Sequence, residues 1–177
     1  HMLSNKENPL VTIMIMTYNS SEFVLDTLES AKRQTYKNVE LIISDDASKD
    51  KTVKICADWI EKNKAFFKNI ELVTTNKNTG IPANCNRGVK KSNGEWIKII
   101  AGDDILTDDC LELFMDAANK DDKIKVLAGR FQSFTSVNGS FDLKEEKYPK
   151  EHTLYFFDLE PKQQLKMLMI RIKLFLK

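Results

Sequence analysis

Pro9-Leu10-Val11-Thr12-Ile13-Met14-Ile15-Met16, running into Thr17-Tyr18-Asn19-Ser20-Ser21-Glu22, is the stretch whose reading decides the fold. The first part is an apolar, β-branched run too short for an ordinary helix, and it reads as a buried strand. The second part offers small hydroxyl and amide side chains as a helix N-cap. Phe23, Val24, Leu28 and Ala31 then recur at helical spacing to about Gln34. The unit is strand, loop, helix.

Working outward, the same order recurs. Val39 to Ser44 reads as a strand, Asp45-Asp46-Ala47-Ser48-Lys49-Asp50 as a loop, and Thr52 to about Lys62 as a helix with Val53, Ile55, Cys56, Trp59 and Ile60 inward. A third cycle has Ile70 to Thr75 as strand, Asn76 to Gly80 as turn, and Ile81 to Ser92 as a helix opened by Pro82. Trp96 to Ile100 reads as a further buried strand and ends in Ala101-Gly102-Asp103-Asp104. A helix from about Thr107 to Asn119, a strand over Lys125 to Gly129, and a hairpin of Arg130 to Val137 and Phe141 to Lys147 turning at Asn138-Gly139 complete the expectation. Alternating strands and helices with short connections predict an α/β fold, Rossmann-like, with a mostly parallel sheet and helices on both faces. Ligands bind such sheets at the carboxyl ends of the strands, where Tyr18-Asn19, Asp45-Asp46 and Asp103-Asp104 should gather.

Composition narrows the function. The chain has 177 residues, 42% of them hydrophobic, enough for one sizeable core. With 27 Lys and Arg against 26 Asp and Glu it lacks the basic footprint of a nucleic-acid binder, so no nucleic-acid partner is expected. Without an apolar run of about 18 residues it has no expected membrane span. Cys56, Cys85 and Cys110 are odd in number and widely spaced, which fits free thiols in a reducing, cytoplasmic compartment better than disulfides or a zinc site. Residues 1–8 read as an expression scar, His1-Met2, and a polar leader. No Gly-rich dinucleotide fingerprint or Walker motif is present.

The acidic pairs carry the chemistry. Two adjacent carboxylates after a buried strand repel each other unless a cation or donors neutralise them, so Asp103-Asp104 suggests hard-cation binding, Mg²⁺ or Mn²⁺, with phosphates and water completing the shell. Capping of the helix near Thr107 is the competing explanation. Asp45-Asp46 is a second pair, of which capping by this loop explains one member; the other is suited to accept an imide N–H such as that of uracil. Tyr18 is a candidate stacking platform, although packing is the commoner role of such a residue. Arg87 reads as a solvated helix-face residue that could meet a phosphate. Gly80 and Gly88 read as a turn and a close helix-to-sheet contact. His152 stands alone in a polar segment, with no expected catalytic role.

The order of Met16-Thr17-Tyr18-Asn19, Ser30 to Tyr36, Ser44-Asp45-Asp46-Ala47-Ser48-Lys49-Asp50, Asn78-Thr79-Gly80, Asn86-Arg87-Gly88, Gly94-Glu95-Trp96 and Ala101-Gly102-Asp103-Asp104 resembles the N-terminal nucleotide-sugar-binding half of family 2 glycosyltransferases with the GT-A fold. The resemblance covers about residues 9 to 130. It implies an inverting transfer of a sugar from a nucleoside diphosphate donor, a UDP-sugar favoured, to a glycan or lipid-linked acceptor, helped by Mg²⁺ or Mn²⁺. It further implies nucleotide binding by Thr17, Tyr18, Asn19, Glu22, Asp45, Asp46, Asn78, Asn86 and Asp103. Tyr18 would stack on the base, Asp46 would bind its N3–H, Asp45 would support that loop and Glu22 would brace the first loop. Asp103 would contact the ribose or metal and Asp104 would coordinate the metal. The family often has Ala-Arg-Asn where this chain has Asn84-Cys85-Asn86, which leaves Arg87 as the candidate positive charge near the diphosphate.

Residues 9–135 are then the expected nucleotide-sugar-binding core and 136–177 the start of an acceptor-side region. The family's general base lies well downstream of the metal motif, and no residue is assigned to it among Asp142, Glu145, Glu146, Asp158 and Glu160. Residues 161–177 read as a segment that packs on the sheet or on a further C-terminal portion, with a peripheral role on the inner face of the cell membrane as the alternative. Two other functions compete: a catalytically silent nucleotide-sugar-binding module, and a Mg-binding receiver-like signalling domain. The latter needs its acidic pair after the first strand, where this chain has Met16-Thr17.

Overall fold

The computed structural model describes residues 8–121, 123–137 and 140–148. Residues 1–7 of the N-terminal leader, the Asn138-Gly139 turn, His152, Asp158, Glu160 and the 161–177 segment lie outside the described residues. Two compact units divide the chain, His1–Lys125 and Val126–Lys177.

The first unit is a parallel α/β sheet. Its strands are β1 (Val11–Thr17), β2 (Val39–Asp45), β3 (Asn69–Val73) and β4 (Trp96–Ala101), in the order β3-β2-β1-β4. The helices are α1 (Val24–Lys32), α2 (Thr52–Asn63), α3 (Ile81–Lys91) and α4 (Cys110–Ala118). Ile13 and Ile15 on one face of β1 and Met14 on the other are all 0% exposed, as are Leu41, Ile42 and Ile43 of β2, so both faces of the central pair are covered. Burial of each such side chain contributes about 1.5–3 kcal/mol. On the face that carries Met14 and Ser44, α3 sits so close that a Cβ on Gly88 would stand 2.6 Å from Met14 Sδ.

The chain winds outward from β1 through β2 to β3, then returns across the sheet to β4 on the other side of β1. In open parallel sheets, ligands bind outside the carboxyl ends of the strands at such a reversal, here between β1 and β4. Register brings the strand exits level: Met16 pairs with both Ser44 and Ala101, and Thr17 with Asp45. Opposite this edge, the starts of the strands are pinned by Glu40, which is 1% exposed. Its carboxylate accepts bonds from Thr12 Oγ1 at 2.6 Å, Asn93 N at 2.6 Å and Asn93 Nδ2 at 2.9 Å, while Thr12 Oγ1 accepts from Gly94 N.

Three expectations are corrected. β4 is half-buried, with Ile99 41% exposed, because it ends the described sheet and has one neighbour instead of two. Lys125–Gly129 forms no strand; the described sheet stops at β4, and a five-residue run becomes a strand only where a neighbour takes its ladder bonds. α4 starts at Cys110 instead of Thr107, since the Thr107 carbonyl accepts from Gln34 Nε2 and the Asp108 carbonyl from Thr35 N.

The second unit holds an antiparallel hairpin of β5 (Phe131–Val137) and β6 (Ser140–Tyr148), the pairing that the Asn138-Gly139 turn signal implied, with an irregularity between Gln132 and Phe134. Among the described residues no helix is long and apolar enough to cross a membrane.

Candidate functional site

Three strand-to-helix loops meet at the carboxyl edge of β1, β2 and β4. The first two are laced together by hydrogen bonds between segments about thirty residues apart. Asn19 N donates to Ser48 Oγ at 2.8 Å and Asn19 Oδ1 accepts from Lys49 N at 2.8 Å. Ser20 N donates to Thr52 Oγ1 at 2.8 Å, and Ser21 N to Asp50 Oδ2 at 3.0 Å. Asp50 also holds the start of α2 through Thr52 N and Thr52 Oγ1. These donors outweigh the opposing effect of burial and keep the Asp50 carboxyl far below the usual carboxylate range. The bracing expected of Glu22 is therefore done by Asn19, Ser20, Ser21 and Asp50; Glu22 is exposed, and no hydrogen bond to the loops forms from it among the described residues.

The lacing demands unusual backbone. Asn19 and Ala47 adopt positive φ, 51° and 66°, which a non-glycine residue holds only when its surroundings fix it. Beneath them Asp45, 0% exposed, accepts from Thr17 Oγ1 at 2.8 Å, Ser48 N at 2.9 Å and Ser48 Oγ at 2.5 Å. Asp45 is thus a structural anchor of the loop. Tyr18, just above, is 47% exposed.

Asp46 is 2% exposed and fully engaged. Its Oδ2 accepts from Thr79 N at 2.8 Å and Gly80 N at 2.7 Å; its Oδ1 accepts from Thr79 Oγ1 at 2.6 Å and Arg87 Nη2 at 2.7 Å. Burial pushes its pKa up, but the Thr79 and Gly80 hydrogen bonds and the Arg87 charge outweigh burial and hold it below the ordinary value. Arg87 is correspondingly no solvated helix-face residue. It is 21% exposed and ion-paired. Gly80 takes φ 86° to close this turn, and Asn78 Oδ1 accepts its N–H at 3.0 Å. Asn84, which sequence reasoning passed over, is 4% exposed and donates from Nδ2 to the Thr17 carbonyl at 3.3 Å. Asn86 is exposed on α3, and Cys85 beside it is half-buried.

Asp103 and Asp104 are both exposed at the exit of β4. α4 begins six residues beyond Asp104 and is preceded by Asp109, so the pair does not cap it. The turn is held against the first loop: Gly102 N donates to the Met16 carbonyl at 2.8 Å, and a Cβ on Gly102 would come within 2.9 Å of Thr17 Cγ2. Asp104 Oδ2 accepts from Ala101 N at 2.9 Å, leaving its other oxygen free to bind outward. Among the described residues no group of three His, Cys, Asp or Glu side chains could hold a metal. Two exposed carboxylates fit a hard divalent ion that draws its remaining ligands from phosphate and water. Farther along, buried Gln34 donates to the Ser30 and Thr107 carbonyls and accepts from Leu111 N, fixing the path into α4.

The thiols lie outside this chemistry. Burial and the charges of Asp45 and Asp50 push the Cys56 pKa up to about 12, and burial raises that of Cys110. A cleft bordered by Pro9, Glu95, Trp96 and Asn119 opens at the amino edge of β4, the wrong end for a parallel-sheet ligand.

The profile of Glycosyl transferase family 2 matches residues 12–175. The chain belongs to this family. An uncharacterized glycosyltransferase of Rickettsia typhi is 31% identical over 98% of this chain and 48% of its own length. The chondroitin synthase of Escherichia coli is 34% identical over 66% of this chain and 16% of its own. The chain therefore spans about half or less of the curated relatives it matches. Among solved structures, TarS residues 1–349 of S. aureus in complex with UDP superposes with a TM-score of 0.55 at 25% identity, over 62% of this chain and 32% of that fragment. The mannosyltransferase PcManGT of Pyrobaculum calidifontis, in complex with GDP-Man and Mn2+, gives 0.52 at 25% identity, over 55% and 28%. The fold of the first unit is GT-A-like.

Proposed function

We propose that this chain is the donor-binding part of an inverting glycosyltransferase that uses a nucleoside diphosphate sugar, a UDP-sugar in the favoured form, and a divalent metal. The observation that carries the reading is the exposed Asp103-Asp104 pair, which caps no helix and stands at the carboxyl edge where the sheet order reverses, beside the laced Tyr18 loop. The solved neighbours with UDP and with GDP-Man and Mn2+ support the ligand class.

In this reading the half-exposed Tyr18 ring stacks on the base, and the turn at Asn78, Thr79 and Gly80 borders the base edge. Thr17 and Asp45 hold the loop at the right height, while Asn19 keeps the first loop against the second. Asp103 and Asp104 would hold Mg²⁺ or Mn²⁺, which when bound offsets the negative charge that builds on the leaving diphosphate. Arg87 and the N-terminal turn of α3, with Asn86, provide polar contacts on the same edge. The acceptor is a glycan or a lipid-linked saccharide, the latter consistent with a peripheral position at a membrane surface.

Calorimetric titration of the chain with UDP, GDP and ADP, each with and without Mn²⁺, tests this. Mn²⁺-dependent binding of UDP in preference to the others is expected. No binding of any nucleotide to a cooperatively folded chain rules the reading out.

A further inference from the structure

A carboxylate offers about four acceptor sites. Asp46 has four donors at 2.6–2.8 Å: Thr79 N, Thr79 Oγ1, Gly80 N and Arg87 Nη2. With Asp46 at 2% exposure, an incoming imide N–H reaches it only by replacing one of them. The two backbone donors are fixed by the turn, and Thr79 Oγ1 belongs to the same turn. Arg87 is different on three counts. Its side chain keeps 21% of its surface open, which leaves a way out. Its grip is one-pronged, since only Nη2 meets the carboxylate; the other contacts to Thr79 Oγ1 and Asn84 Oδ1 are 3.3–3.5 Å. Its Nε–H is buried with no hydrogen-bond partner among the described residues. A guanidinium with one buried donor unsatisfied and a single close bond is held below its capacity, because Arg usually meets a carboxylate with two parallel bonds.

We infer that Arg87 is an exchangeable occupant of the base-reading carboxylate: the nucleotide base displaces it from Asp46, and the freed guanidinium pairs with the anionic part of the same ligand. The inference rests on the proposed nucleotide site and deepens it. Displacement by an uncharged nucleoside strands both Asp46 and Arg87 without their opposite charges, whereas a nucleoside diphosphate brings the anion that takes Arg87. The exchange thus couples base recognition to the presence of phosphate. Arg87 is a positioning and selecting residue in this scheme, and the ligand it favours is a nucleotide over a nucleoside.

The test measures uridine and UDP affinity, both with Mn²⁺, for the wild-type chain, Arg87→Ala and Arg87→Lys, with thermal melting to confirm folding. Removing a competitor from Asp46 is expected to tighten uridine several-fold in Arg87→Ala, while loss of the cation weakens UDP by about tenfold. Arg87→Lys retains most of the UDP affinity. Equal weakening of both ligands in Arg87→Ala makes Arg87 a fixed clasp and overturns the exchange, leaving the nucleotide site standing. Wild-type protein that melts cooperatively and binds neither ligand overturns both. Should Arg87→Ala fail to fold, nuclear magnetic resonance of the Arg87 Nε–H in the wild-type chain decides: UDP must move that resonance, and a resonance unmoved under saturating UDP overturns the exchange.

Discussion

Gln34 Oε1 accepts the backbone N–H of Leu111 at 3.0 Å, across 77 residues of sequence. The same buried amide donates to the carbonyls of Ser30 and Thr107, so one side chain ties the end of α1 to the entry of α4. Gln34→Leu keeps a similar volume but strands the Leu111 N–H. A loss of about 2–4 kcal/mol is expected from the lost bonds and the unsatisfied group. Urea denaturation measures it, and a loss under about 1 kcal/mol would show that the tie is dispensable.

Asp104→Asn should leave the urea midpoint nearly unchanged, since the exposed side chain retains an oxygen for the Ala101 N–H. Mn²⁺-dependent nucleotide binding should disappear. If calorimetry with Mn²⁺ shows wild-type affinity, Asp104 holds no metal.

Ala47 stands at φ 66° and is 7% exposed. Ala47→Val adds a β-branched side chain to a left-handed, covered position and should cost about 1–3 kcal/mol, whereas Ala47→Gly relieves the strain and should not lower stability. Equal destabilisation by both substitutions in chemical denaturation would mean that the Cβ packing of Ala47, and not its backbone, matters.

Much of the architecture was open to a reader of the sequence. Val11–Thr17 and Val39–Asp45 lie in the middle of the sheet, so their covered faces leave unbroken apolar runs, and the loops after them are short and polar. What local pattern cannot encode is the partner of a side chain. Arg87 and Asp46 are 41 residues apart, and a lone Arg on a helix looks the same whether it faces water or a buried carboxylate. Asn84 and Gln34 read as ordinary helix residues for the same reason. Trp96–Ala101 looked fully buried because its β-branched composition says nothing about a missing neighbour, and Lys125–Gly129 had strand composition without a described strand beside it. Asp103-Asp104 was legible as an acidic pair at a strand exit, but only the start of α4 at Cys110 rules out its being a helix cap.

The buried Glu40 makes stability depend on acid. Burial alone would raise its pKa, but the hydrogen bonds from Asn93, Thr12 and Asn69 outweigh it and hold the folded value below 4.5, the value expected of the unfolded chain. The unfolded state therefore binds the proton first as pH falls, and stability declines from near pH 4.5 downward through the folded pKa. Above that window the contribution is fully present. Asp46, also lowered, adds to the same acid limb from 3.8 downward. In Glu40→Gln the acceptor facing Thr12 and Asn93 becomes in part a donor, so stability at pH 7 should fall by about 2–3 kcal/mol. Its urea midpoint should also change less between pH 5 and pH 3 than that of the wild-type chain. Parallel pH profiles for the two proteins would show that Glu40 is protonated equally easily in both states and that the acid sensitivity arises elsewhere.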